Sequence, residues 1–122
     1  MPTSTIESGK TAENLACDYL QQQGLILLAR NFRSRYGEID LILREGNTIV
    51  FTEVRARKKN NLVDSLQSVN ASKQKKLIKT ALYYLQTNSK LMDYPARFDV
   101  IAITNSHAES QINWIKDAFQ TH

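Results

Sequence analysis

Cysteine is nearly absent from the chain. Cys17 stands alone among 122 residues, which excludes an internal disulfide and a cysteine-built zinc cage. Its place inside a helical pattern reads as a small packing residue, not a reactive thiol. Long apolar runs are missing too: the longest, Leu25 to Ala29, falls far short of the ~20 residues a membrane helix needs. With no signal-peptide pattern at the polar N-terminus, we expect a soluble, cytoplasmic chain with no membrane partner. There is no glycine-rich loop to cradle phosphates, no serine or cysteine nucleophile with a histidine partner, no internal repeat and no low-complexity tract. His107 lies alone in a polar stretch and reads as a solvated side chain.

What is present is a single domain's length of chain and an uneven charge. The net charge is +4 and the pI about 9.3. Between Val54 and Lys79 eight cations face the single anion Asp64, a net +7, so the remainder carries −3. Concentrated positive charge suits a polyanion partner.

That basic stretch directly follows the most informative segment, residues 36–57. Two apolar-rich runs, Ile39 to Leu43 and Thr48 to Val54, flank Gly46-Asn47, a two-residue hairpin signal. If Glu45 pairs with Thr48, Asp40 falls opposite Glu53 and Glu38 opposite Arg55, all on one face by the two-residue strand period. Carboxylates directly opposite each other destabilise a sheet unless neutralised. A divalent cation would neutralise them: Mg²⁺ takes hard oxygens, typically one or two carboxylates plus phosphate and water. Arg55, on the same face, would add positive charge where a phosphate sits. The plainer alternative is a surface ladder of ion pairs, Glu38 with Arg55 and Asp40 with Arg57.

Ahead of the hairpin, the spacing of Ala12, Leu15, Ala16, Tyr19 and Leu20 predicts a helix from Ser4 or Ser8 to about Gln23, stopped by Gly24. Glu13 sits within about 20° of Leu20 on the helical wheel. It is either a surface glutamate or one directed at the hairpin. Leu25 to Phe32 reads as a strand, and Arg30, Arg33 and Arg35 surround the turn that follows it. After the hairpin, residues 57–61 read as a basic loop. A long helix follows, capped by Asn70 or Ser68 and running to about Thr87, with Gln74, Leu77, Ile78, Ala81, Leu82 and Leu85 inward. Lys73, Lys75 and Lys76 at its start oppose the helix dipole, so they need solvation or a compensating partner. Strands at Phe98 to Ile103 and Ile112 to Ile115 complete the order α-β-β-β-α-β-β, an α/β fold with a mixed sheet.

Ala12-Glu13, Arg30-Asn31-Phe32-Arg33, Gly37-Glu38-Ile39-Asp40-Leu41-Ile42, Phe51-Thr52-Glu53-Val54-Arg55, Arg97-Phe98-Asp99-Val100 and Trp114-Ile115-Lys116-Asp117-Ala118-Phe119 together resemble the YraN-like family. The likeness spans nearly the whole chain. That family is similar to the restriction-endonuclease-like superfamily and its Holliday-junction-resolvase branch. The resemblance implies a single endonuclease-like domain over residues 1–122, a three-layer core with a five-stranded sheet flanked by helices. It further implies Asp40 and Glu53 as metal ligands for Mg or Mn, the Val54 carbonyl as a further ligand, and Glu13 as the helix glutamate that completes the site. Where the superfamily carries lysine this chain has Arg55, which stays protonated and cannot act as a base.

The expected function is therefore a metal-dependent phosphodiesterase on DNA, branched or flapped. Asp40, Glu53, Arg55 and Glu13 would form the site, with Arg57, Lys58, Lys59, Lys73, Lys75 and Lys76 on the nucleic-acid backbone. Resolvase-like relatives imply a homodimer. The alternative is a catalytically inactive nucleic-acid-binding or protein-interaction domain on the same fold. Arg55 favours that alternative, as does the expected lack of an aromatic stacking surface near the lysines.

Overall fold

The computed structural model describes residues 5–57, 62–105 and 110–120. A first helix, α1 (Thr5–Gln22), ends where Gly24 takes a φ of 96°, a left-handed conformation glycine adopts without a Cβ clash. Three strands follow as a meander, β1 (Ile26–Ser34), β2 (Gly37–Glu45) and β3 (Thr48–Arg57). A short helix α2 (Leu62–Gln67), absent from the expected order, leads into α3 (Ala71–Thr87) and a 3₁₀ turn at Ser89–Leu91. β4 (Ala96–Asn105) and β5 (Ser110–Phe119) close the chain.

The strands lie in chain order, β1-β2-β3-β4-β5. Only β3 and β4 run parallel, in register from Ile49↔Ala96 to Arg57↔Thr104. Parallel neighbours need a crossover, and α3 supplies it. α1 buries Ala16, Cys17 and Leu20 against Leu41, Leu43, Val50 and Ile101 on one face. α3 buries Leu77, Ala81 and Tyr84 against Ile42, Phe51 and Phe98 on the other. Each large side chain so buried contributes roughly 1.5–3 kcal/mol. The result is the expected mixed five-stranded α/β sheet between helical layers. Among the described residues no helix is long and apolar enough to cross a membrane.

Two details differ from expectation. α3 is rotated about its axis: Leu82 is 51% exposed, whereas Thr80 and Tyr84 are buried. Tyr84 wins the inner position because Phe32 and Phe51 both meet its ring edge to face, at 5.0 and 6.1 Å. β5 extends to Phe119, well beyond Ile115, because a register shift opposite Phe98/Val100 and a positive φ at Asp117 interrupt its alternation.

Candidate active site

The hairpin turns at Gly46, whose φ is 58°, and Glu45 pairs with Thr48 as the two-residue loop requires. The β2–β3 ladder runs from there to Leu41↔Thr52. Asp40 and Glu53 are the next residues in register. Here Asp40 replaces the backbone partner: its Oδ2 accepts the Val54 N–H at 2.8 Å. The strand alternation also turns over at this point. Ile39 packs with the α3-side core and Leu41 with the α1-side core, although they are two residues apart. On the neighbouring strand Asn31 takes a φ of 53°; Arg30 before it reaches Glu13 on α1, while Phe32 after it packs on Tyr84 of α3.

Glu38, Asp40, Glu53 and Arg55 all line one cleft of about 470 Å³, closed on its far side by Lys73 and Lys76 of α3. Glu53 is 4% exposed, and its Oε2 accepts both Arg55 Nη2 at 3.0 Å and Lys73 Nζ at 2.9 Å. Asp40 has no such cation. Burial, then the hydrogen bond and charge of Glu53, push its carboxyl up to about 8 against the opposing Val54 N–H, with Glu13 adding to the rise.

The alternative ladder of ion pairs does not form: Glu38 meets Arg33 at 3.4 Å, and Arg55 turns to Glu53. Glu13 lies outside the cleft lining, on the α1 side, bound to Arg30 at 3.2 Å. It acts on Asp40 through its charge. Arg57 ends β3 with a hydrogen bond to the Ala56 carbonyl. Lys75 is exposed on α3 and not part of the cleft lining. Lys58, Lys59 and His107 lie outside the described residues.

Among the described residues no group of three or more His, Cys, Asp or Glu side chains is arranged around a common metal position. A divalent cation here would rest on two carboxylates. They fit it in kind: both offer hard oxygens, and a cation would offset the burial and the neighbouring Glu53 charge that raise the Asp40 carboxyl. In an extended strand a residue's N–H and C=O point to the same edge. Since the Val54 N–H meets Asp40, its carbonyl faces that edge as well.

Sequence reasoning missed three features. Lys73, expected on a phosphate backbone, reaches into the carboxylate pair. This gives it the compensating partner its place at the start of α3 demands, beside the Asn70 cap that accepts the Lys73 N–H at 3.0 Å. Asp99 is fully buried and accepts from Arg97, Trp114 Nε1 and the Asp117 N–H. Third, Lys79 Nζ lies 5.7 Å from the Tyr36 ring, a contact between α3 and the β1–β2 turn that no spacing in the chain signals.

Fold and cleft define a helix–sheet–helix α/β protein with an acidic pair and two cations where its hairpin ladder ends. The Uncharacterised protein family UPF0102 matches residues 12–103, and the chain belongs to this family, known also as YraN. It is 43% identical over 119 residues to a UPF0102 protein of Nitrosococcus oceani, covering 98% of this chain and 96% of that one. A UPF0102 protein of Pseudomonas fluorescens is 46% identical over 118 residues, covering 97% of each. One of Coxiella burnetii is 45% identical over 116 residues, covering 95% of this chain and 94% of its own.

Proposed function

We propose that the protein is a metal-dependent phosphodiesterase acting on nucleic acid, DNA of branched or flapped form first among its substrates, and that its fold is of the restriction-endonuclease-like kind. The observation that carries this is the Asp40–Glu53 pair, a half-buried and a buried carboxylate at the end of the hairpin ladder, flanked in one cleft by Lys73 and Arg55. Bound Mg²⁺ or Mn²⁺ would supply Lewis acidity and activate water for attack on phosphorus. Asp40, Glu53 and the Val54 carbonyl would hold it. Arg55 meets charge developing on the phosphoryl oxygens. Lys73 brings an ammonium, a compact cation able to orient the attacking water. Lys76 at the rim, with the basic residues 57–59, takes the backbone and makes affinity salt-dependent.

The test is Mn²⁺-dependent cleavage of flap, junction and single-stranded DNA. Glu53→Gln should lose at least about 10³-fold in rate, as expected when a metal ligand is removed, while keeping its circular dichroism and DNA affinity. Cleavage that survives in Glu53→Gln rejects the site. The second reading, a binding module without catalysis, draws support from Glu53 Oε2 already holding two cations. Binding with no cleavage in wild type under any metal would establish that reading.

A further inference from the structure

Next to the carboxylate cleft lies a second concavity, of about 490 Å³, that the catalytic reading does not use. It is lined by Arg33, Ser34, Arg35 and Tyr36 from the β1–β2 turn and by Tyr83 and Gln86 from α3. Arg35 stacks over the Tyr36 ring at 5.0 Å from its centroid and donates from Nη2 to the Tyr36 hydroxyl at 2.8 Å. Lys79 approaches the same ring at 5.7 Å. Tyr83 is 44% exposed, its ring held by a tilted contact with Phe32 at 6.1 Å. Glu38 lies 3.4 Å from an Arg33 side chain that is 77% exposed.

The notch and the cleft are lined by neighbouring residues of the same turn and helix. Tyr36 directly precedes Gly37, and Gly37 and Lys76 line the cleft. A Cβ on Gly37 would stand 3.6 Å from Lys76 Cβ and Thr80 Oγ1, so the turn already rests on α3. Lys76, Lys79 and Tyr83 follow at i, i+3 and i+7, a single stripe along that helix. A chain of phosphates held by Lys76 and Lys79 would carry its next bases past Tyr36 and Tyr83.

We infer that the Tyr36–Tyr83 notch binds unpaired nucleotides of the nucleic-acid substrate, so that the cleft receives a strand with a single-stranded segment beside the scissile phosphate. The inference rests on the phosphodiester reading of the adjoining cleft. Bases inside a duplex are stacked on each other and offer no face to a tyrosine, whereas splayed bases stack on Tyr rings and Arg planes. Interleaved cations and aromatic rings are the arrangement that such a segment requires; a surface for duplex backbone alone needs only the cations.

The experiment uses the full chain in EDTA, where no metal-dependent cleavage intervenes. Fluorescence anisotropy compares a labelled oligothymidine of about 12 nucleotides, within the span of known single-strand sites, with a duplex of equal length. Tyr83→Ala should weaken single-strand binding by about 10-fold, given what one base–aromatic stack contributes, and leave duplex binding unchanged. Tyr83→Phe should bind as wild type does. On the wild-type protein, ultraviolet crosslinking of iodouracil-substituted strands should label Tyr36 or Tyr83, a readout independent of any variant's folding. Equal affinities in wild type and Tyr83→Ala, crosslinks confined to other residues, or no single-strand binding by wild type would each overturn the inference. Tyrosine-dependent binding without cleavage in Mn²⁺ would reject the phosphodiesterase reading and leave the notch standing. Cleavage without tyrosine dependence would do the reverse.

Discussion

Asp99 on β4 is fully buried and Asp40 on β2 half-buried in the same sheet, two strands apart, and their surroundings differ in every donor. The Asp99 carboxylate collects Arg97 Nε at 3.0 Å, Trp114 Nε1 at 2.9 Å and the Asp117 N–H at 2.9 Å. Arg97 passes on to Glu45 at 2.7 Å and so ties β4 to the hairpin's end. A buried charge with this many donors is complete, and nothing further has cause to bind it. Asp40 has a single N–H and, beside it, a second carboxylate whose Oε2 holds Arg55 and Lys73. The lesson is that burial of an acid does not mark a site; burial with too few donors does.

Asp99→Ala would break this contrast most severely. It leaves the Arg97 guanidinium, 17% exposed, with half its partners, and removing one side of a buried ion pair costs about 3 kcal/mol or more. Urea denaturation should show the loss directly. Asp40→Asn should cost far less and change the pH dependence instead. The folded carboxyl, up to about 8 against an ordinary 3.8, holds a proton that the unfolded chain has released at intermediate pH. Stability should therefore fall as pH rises from about 4 to about 8 and level off above that. In Asp40→Asn that slope should vanish. Mn²⁺ bound to wild type at pH 7 should release about one proton, visible as buffer-dependent binding heat. The smallest effect is Trp114→Phe, which removes one donor from Asp99 and should cost about 1 kcal/mol, seen as a modest drop in melting temperature.

Much of this was legible because it is local. Gly46-Asn47 sets the hairpin register, and the register alone brings Asp40 level with Glu53. The alternation reasoning was incomplete, since the strand turns over at Asp40 and only the cleft shows Glu38 and Arg55 on the same side. Features that depend on the β3-to-β4 crossover were not legible. Where Lys73 lands is decided by how α3 lies across the sheet, and α3 was misjudged in rotation as well, with Leu82 outward and Tyr84 inward. Two of the donors to Asp99, Trp114 Nε1 and the Asp117 N–H, come from β5, and no spacing in the chain joins Trp114 to it. Glu13 was correctly placed at the edge of its helical stripe, but the wheel carries no information about Arg30, which holds it.

The two described non-glycine residues with positive φ, Asn31 and Asp117, fall on β1 and β5, the two strands with an unpaired outer edge. Each edge also carries a register shift, at Leu27/Ala29 and opposite Phe98/Val100. A straight strand from another molecule cannot follow either border for its full length, so these irregularities guard the sheet against edge-to-edge aggregation.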